Sequence, residues 1–481
     1  MRQTLRRSCS ACARSKLSCD LRTPHCSRCI KRKVLCVYAN QPWTVQPASS
    51  GIEGGESIEP YGALSTYQFG SIDPFDSYPR TRLPREHVQR LIHNCTPNPV
   101  LHKIAFQYYP LDLNETSNPF LISWWPLALG DPALFHVSLQ TACLDEELIA
   151  QRGFQASEML MADSVSLVRR KIQDLSLAVQ DGTMNSVITL ATIEFGKGNF
   201  EVSKTHVEGV KRLVSLRGGI SSVRQTSPLT ARMISWASML ILGHPQFPVQ
   251  DDGGGGDGIP PIPEWFLCST ALEDGTIPEL SWVVDDKIVR TALVRLRYIF
   301  KHVEGEPLSG IRLHDLALFV THRLLLSAPD TQDTNASPVT ECIRYALILY
   351  MFIIQGPIYY SHAVILSSVV TRFTKYLELL ESISHVYDAL DIWLLTIGMV
   401  ASAGTPGYSF FTERIRRVCA CLQLTEFHVA LKYIKGICWL GGLQGETLLR
   451  PHWNVVLADD SQLNPAELRV DLSPSSFGVQ S

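Results

Sequence analysis

The sequence predicts two unlike parts: a small module of two short helices stapled through cysteine, then a large all-α body. Three observations carry this. Six of the 13 cysteines fall within the first 36 residues at a repeating interval. Positive charge gathers around them, while the rest of the chain carries the opposite balance. From about residue 118 to 440, apolar residues recur at helical spacing and no alternating strand run stands out. At 481 residues the chain exceeds one typical domain.

Cys9, Cys12, Cys19, Cys26, Cys29 and Cys36 follow the pattern C-x2-C-x6-C-x6-C-x2-C-x6-C, so the second triplet repeats the first with an offset of 17 residues. Each half offers a C-x2-C turn, whose two thiolates can face one ion, and a third sulfur after a short helical stretch. Zinc prefers four tetrahedral thiolates at roughly 2.3 Å. Six ligands fill two such sites only when two sulfurs are shared, which makes a cluster of two Zn2+ ions. A disulfide knot would need an oxidising compartment, yet Arg2, Arg6 and Arg7 are followed by no apolar run of a secretory leader. Iron–sulfur spacings differ from this one. The module is too small for a hydrophobic core, so metal must supply its folding energy.

This stretch resembles the Zn2Cys6 binuclear cluster of fungal transcription factors, in every cysteine interval from 9 to 36 and in Pro24, two places before Cys26. The resemblance implies that Cys9 and Cys26 bridge both ions. One ion would then take Cys9, Cys12, Cys19 and Cys26, and the other Cys26, Cys29, Cys36 and Cys9.

Residues 1–40 hold ten Lys or Arg against one acid, Asp20, which leaves 33 basic and 45 acidic residues in the remaining 441. A net charge of +9 on the head and −12 on the body underlies the overall −3. Such a split points to a polyanion as partner of the head alone, and the resemblance implies that it is double-stranded DNA. One to two helical turns between Cys12 and Cys19 would project Lys16 toward a major groove, where a lysine donates to guanine O6 and N7. The resemblance gives Lys16 the place of the usual base reader, three residues before the third cysteine. Ala13, Ser15 and Ser18 stand where that family often has basic residues, which leaves fewer phosphate clamps, with Arg14 as a replacement. Lys33 is the counterpart of Lys16 by the 17-residue offset. Arg28, Lys31 and Arg32 are expected on phosphate, because the resemblance places base readout in the first half. Arg7, with Arg6, is expected on phosphate or, with Lys31–Lys33, in a nuclear import signal.

Residues 1–40 are thus the expected DNA-binding domain and 41–84 a disordered linker, rich in Gly, Pro and Ser, with no Lys or Arg before Arg80. Acids and aromatics alternate toward its end through Tyr67, Phe69, Asp73, Phe75, Asp76 and Tyr78, a composition shared by some activation segments and by plain tethers. Val88, Leu91, Ile92 and Cys95 form one amphipathic patch, stopped by Pro97 and Pro99. It is too short for an independent coiled coil, so dimerisation through a zipper is unsupported.

The body is expected over 85–470, with a disordered tail at 471–481. Asp131-Pro132 is an N-cap with proline at the first helical position. Helical spans follow over 158–175, 184–195, 200–217 and 229–242, with Gly218-Gly219 a stop signal. The stretches Trp124–His136, Leu213–Gly219 and Ser361–Leu366 resemble the fungal-specific regulatory domain found behind this zinc cluster. That implies a regulatory region meeting ligands, transcription machinery or co-regulators. The uncharged-looking stretch 345–370 is broken by Gln355-Gly356-Pro357 and is expected as two buried helices rather than a membrane span. No compact catalytic constellation appears, so no enzyme is expected. Gly253–Gly258 fits a phosphate-loop pattern only by being nearly all glycine, and is expected as a flexible acidic loop. Asp145-Glu146-Glu147 is expected at a solvated helix end, Cys419 and Cys421 in helix packing, and His136, His206, His244 and His362 as satisfied histidines.

The expectation is therefore a nuclear, zinc-dependent, sequence-specific regulator of RNA polymerase II genes; the resemblance implies CGG-type sites and a role of the kind that family often has, in secondary metabolism or nutrient use. The alternative is a co-regulator whose head binds DNA weakly and whose helical body makes the important contacts.

Overall fold

The computed structural model describes residues 10–19, 27–34, 78–92, 118–151, 153–267, 284–302, 308–329, 336–356, 362–383, 389–441 and 443–458. They fall into two compact units, one within Met1–Ile72 and the other within Asp73–Ser481. In the first, α1 (Ser10–Arg14) and α2 (Ser27–Arg32) pack together. The second is helical, and its one extended pairing among the described residues is a bridge between Val249 and Ile259.

The body opens with α3 (Arg85–Ile92), a π-turn over Phe120–Trp124 and α4 (Trp125–Gly130). It continues through α5 (Pro132–Ile149), α6 (Gln155–Ile172), α7 (Leu175–Ala178), α8 (Asp181–Gly196), α9 (Phe200–Leu216), α10 (Gly219–Thr226) and α11 (Pro228–Leu242). After a 3-10 turn at Pro263–Phe266 come α12 (Lys287–His302), α13 (Gly310–Leu326), α14 (Pro338–Gln355) and α15 (Ala363–Ile383). The last are α16 (Ala389–Ala401), α17 (Gly407–Leu422), α18 (Phe427–Ile437) and α19 (Leu443–Leu457).

Local chemistry sets these boundaries. Asp131 caps α5, its Oδ1 accepting from the N–H groups of Ala133 at 3.0 Å and Leu134 at 3.3 Å, with Pro132 at the first helical position. α9 stops where Gly218 and Gly219 take φ of 94° and 92°, a conformation glycine adopts without a Cβ penalty. Gly356 ends α14 differently, at φ 72° and ψ 177°, a region also reserved for glycine.

The body centre is made of helices with no wet face. Every residue from Ala133 to Asp145, Gly182 to Glu194 and Ile392 to Met399 is buried. Their hydroxyls are not orphaned: Thr183 donates to the Leu177 carbonyl of α7 at 2.7 Å, and the others bond back to their own helix. Ser138 donates to the Leu134 carbonyl at 2.7 Å, Ser186 to Gly182 at 2.6 Å, Thr189 to Asn185 at 2.7 Å and Thr396 to Ile392 at 2.6 Å. Amphipathic α6, α9 and α17 pack on these helices, and α12 packs on α13 and α14. α14 is the one helix among the described residues long and apolar enough to cross a membrane, and 78% of it lies buried in the body.

Several expectations need correction. Residues 78–84, assigned to the linker, are packed on the body: Tyr78 stacks on Phe135 at 5.6 Å, Leu83 is buried and Arg82 pairs with Asp163 at 2.7 Å. α15 is not a buried helix but a two-sided one, with Ile365, Val369 and Phe373 inside and Val364 and Leu379 exposed. The glycine-rich loop is a closed turn rather than a loose one. Asp251 accepts from the N–H groups of Gly253 at 2.9 Å and Gly255 at 2.7 Å, and Arg323 pairs with Asp252 at 2.6 Å. Asp145-Glu146-Glu147 is no solvated end either. Asp145 is buried, Glu146 pairs with Arg90 at 3.2 Å, and Glu147 accepts the Ala156 N–H at 2.9 Å to start α6. Cys419 is buried in packing as expected, but Cys421 is exposed. The patch Val88, Leu91 and Ile92 is buried where α3 meets α5, while Cys95, the aromatic alternation before Tyr78 and the tail from 471 lie outside the described residues.

Candidate metal centre and nucleic-acid interface

The two halves of the head are one device built twice. α1 begins inside the first C-x2-C and buries Cys12; α2 does the same with Cys29. The two Sγ atoms lie 3.9 Å apart, and Ala11 and Cys19 pack beside them. Those two cysteines are the whole buried apolar core of the described head. Both helices end in the same cap. The Leu17 N–H donates to the Cys12 carbonyl at 3.0 Å and the Val34 N–H to the Cys29 carbonyl at 3.1 Å. In the second half the Lys33 N–H also donates to the Ile30 carbonyl at 3.2 Å, completing a Schellman motif.

These caps place Lys16 at φ 50° and Lys33 at φ 49°, both in the left-handed region. A side chain there costs roughly 1 kcal/mol, which is why glycine usually holds the position. The helix therefore does not fill the interval between Cys12 and Cys19, as the spacing suggested. It stops at Arg14, and Lys16 stands beyond its end on the capping residue. Arg14, Lys16, Arg28, Lys31, Arg32 and Lys33 are all exposed. Arg7, Cys9, Cys26 and Cys36 lie outside the described residues.

The chemistry of this donor set suits zinc. Cys12 and Cys29, expected on different ions of the pair, meet at 3.9 Å with Cys19 packed beside them, so the head gathers the soft sulfur donors that zinc prefers. A core of two sulfurs cannot offset the entropy of ordering the module, so bound zinc would supply the folding energy. Among the described residues no three His, Cys, Asp or Glu side chains are grouped to hold an ion, in head or body.

The body's polar groups serve the body itself. Asp315 is clamped by Arg232, at 2.7 and 2.9 Å, and by Arg224, at 2.8 and 3.3 Å. Burial pushes its carboxyl up, but the two guanidiniums outweigh this and hold it below the usual range. Arg344, almost wholly buried, bonds both oxygens of Glu341 at 3.0 Å and the Ser327 hydroxyl at 2.6 Å. The Asp315 clamp left no local signal in the sequence, because its partners are 83 and 91 residues away.

His362 lies against Trp236 and Phe352, and burial lowers it to about 4. Its buried Nε2 has no hydrogen-bond partner, so it is not the satisfied histidine expected. His136 keeps a contact of 2.6 Å to the Pro132 carbonyl, and His244 one of 2.9 Å to Leu242. His206 is lowered by burial, against a small opposing effect of Glu194. Burial pushes the thiols of Cys143 and Cys438 up to about 12, which leaves them inert at neutral pH.

A cysteine-cored head with exposed cations, joined along the chain to a helical body, fits a nucleic-acid-binding regulator. The chain matches the fungal Zn(2)-Cys(6) binuclear cluster domain over residues 7–43 and the fungal specific transcription factor domain over residues 102–242. It belongs to the fungal Zn2Cys6 transcription factors, and is a zinc-binding, DNA-binding regulator of transcription. Both matched families are transcription-factor domains, not enzymes. No curated protein and no solved structure matches the chain.

Proposed function

We propose that this chain acts in the nucleus as a sequence-specific regulator of RNA polymerase II genes, docking at CGG-type half-sites. The observation that carries the reading is Lys16, held exposed in a left-handed cap directly behind a buried cysteine pair. Two zinc ions fix the head through Cys9, Cys12, Cys19, Cys26, Cys29 and Cys36. Lys16 donates to base edges in the major groove, where one good contact is worth about 1–3 kcal/mol of discrimination. Arg7, Arg14, Arg28, Lys31 and Arg32 hold phosphate, so affinity falls steeply with salt. The helical body receives the transcription machinery, co-regulators or an effector. Dimerisation is possible, but α3 has its apolar face seated on the body and offers no zipper among the described residues.

The test is binding-site selection from random duplex DNA with the full-length, zinc-loaded chain, beside Lys16→Ala and chelated protein. Enrichment of a CGG-like triplet, lost in both controls, is the expected result. No enrichment while zinc is bound would favour the co-regulator reading, to which Ala13, Ser15 and Ser18 already lend weight.

A further inference from the structure

The two copies of the device are unequally charged, and the excess lies on the second. Residues 10–17 and 27–34 share the short helix, the buried second cysteine, the bond from the residue after the lysine to that cysteine's carbonyl, and the left-handed lysine. Where the first copy has Ala11, Arg14, Ser15 and Lys16, the second has Arg28, Lys31, Arg32 and Lys33. No acid occurs in either segment. The backbone that presents Lys16 therefore presents Lys33 in the same way, within a cationic surface twice as dense.

A side chain in the left-handed region is disfavoured relative to glycine, yet Gln151 and Gln423 also stand exposed there, so what points to a task is the pairing of two lysines in equivalent caps of the repeat. Here the same side chain occupies that position twice. Ordinary solvation does not require a cap residue, since Arg28, Lys31 and Arg32 already expose charge from the helix.

We propose that Lys33 is a second base-contacting residue, donating its ammonium to acceptor edges of duplex DNA while Arg28, Lys31 and Arg32 grip the phosphates beside it. This rests on the reading of Lys16 as a base reader. It adds that the second half of the head carries sequence information of its own instead of serving only as an electrostatic clamp. The two lysines then specify different base pairs, and the larger part of the salt-dependent affinity comes from the second half.

The experiment is site selection and salt titration with the full-length, zinc-loaded chain and with Lys16→Ala, Lys33→Ala and Lys33→Gly, after zinc content has shown each head intact. Lys33→Gly suits the left-handed backbone, so any loss it causes belongs to the missing side chain. The expected result is that both Lys33 variants relax preference at base positions other than those relaxed by Lys16→Ala. The drop at the preferred site is on the order of 10-fold, with little change on random DNA. Weakening of all sequences alike, with the salt slope reduced by about one, would make Lys33 a phosphate contact and overturn the proposal. Unchanged binding would overturn it too. Were Lys16→Ala to leave specificity intact while the Lys33 variants abolish it, the Lys16 reading would fall and base readout would sit in the second half alone.

Discussion

Head and body use the same residue types for opposite ends. In the body, arginine is an internal fastener: Arg224 and Arg232 hold Asp315, Arg217 holds Asp181, and Arg344 holds Glu341. In the head, Arg28, Lys31, Arg32 and Lys33 stand exposed with no acid in their segment. Cysteine divides likewise. In the body, burial raises Cys143 and Cys438 until they behave as small apolar groups. In the head, Cys12 and Cys29 are themselves the core. Composition alone therefore says little about what a residue does; the depth at which the fold holds it decides.

The strongest way to break this comparison is to remove one head sulfur. Cys29→Ser should abolish zinc retention and DNA binding while leaving the body's thermal transition in place, as read by metal analysis, DNA titration and calorimetry on the same sample. Loss of both together would mean that the head is not an independently metal-folded unit.

The next largest effect lies in the body. Asp315→Asn leaves two partly buried guanidiniums without their carboxylate and should cost about 3 kcal/mol, seen as a lower urea midpoint. Zinc content and DNA affinity of the folded protein should not move.

Acid offers a graded test of the same division. His314, His322 and His362 are held near 4 chiefly by burial, below an unfolded value of about 6.5. The unfolded chain thus takes up protons between these values that the folded body refuses. Body stability should fall as pH drops from about 6.5 toward 4, by up to about 1.4 kcal/mol per unit for each histidine. A His362→Phe variant should show a shallower slope in urea titrations followed by tryptophan fluorescence.

The smallest effect sharpens the comparison most. Lys16→Gly removes a side chain from a left-handed residue but gives the unfolded chain more freedom, and the two terms nearly cancel. Head stability should change by less than about 0.5 kcal/mol, measured by zinc competition, while sequence preference is lost. A large destabilisation would make Lys16 a structural residue.

Much of this was legible in the chain. The 17-residue repeat, the Asp131-Pro132 cap and the Gly218-Gly219 stop are local signals, and the structure places caps and helix ends at them. The sequence hid whatever depends on distance. Tyr78 and Leu83 look like linker until Phe135 and the core are beside them, and Glu147 looks solvated until it caps α6 from nine residues away. The helix ending at Arg14 was misplaced for a subtler reason. A cysteine interval fixes where sulfurs must meet, but not on which residue the helix between them turns over.

The seat of α11 bears on how this protein can be cut. Its buried face is covered from beyond the matched segment, with Trp236 against His314, Phe352 and His362, and Arg232 reaching Asp315. A fragment ending at Leu242, where the family match ends, would bare that tryptophan and strand the arginine. The match marks a stretch of shared ancestry, and the unit that folds, survives proteolysis or can be shuffled into another protein reaches on through the helices that follow.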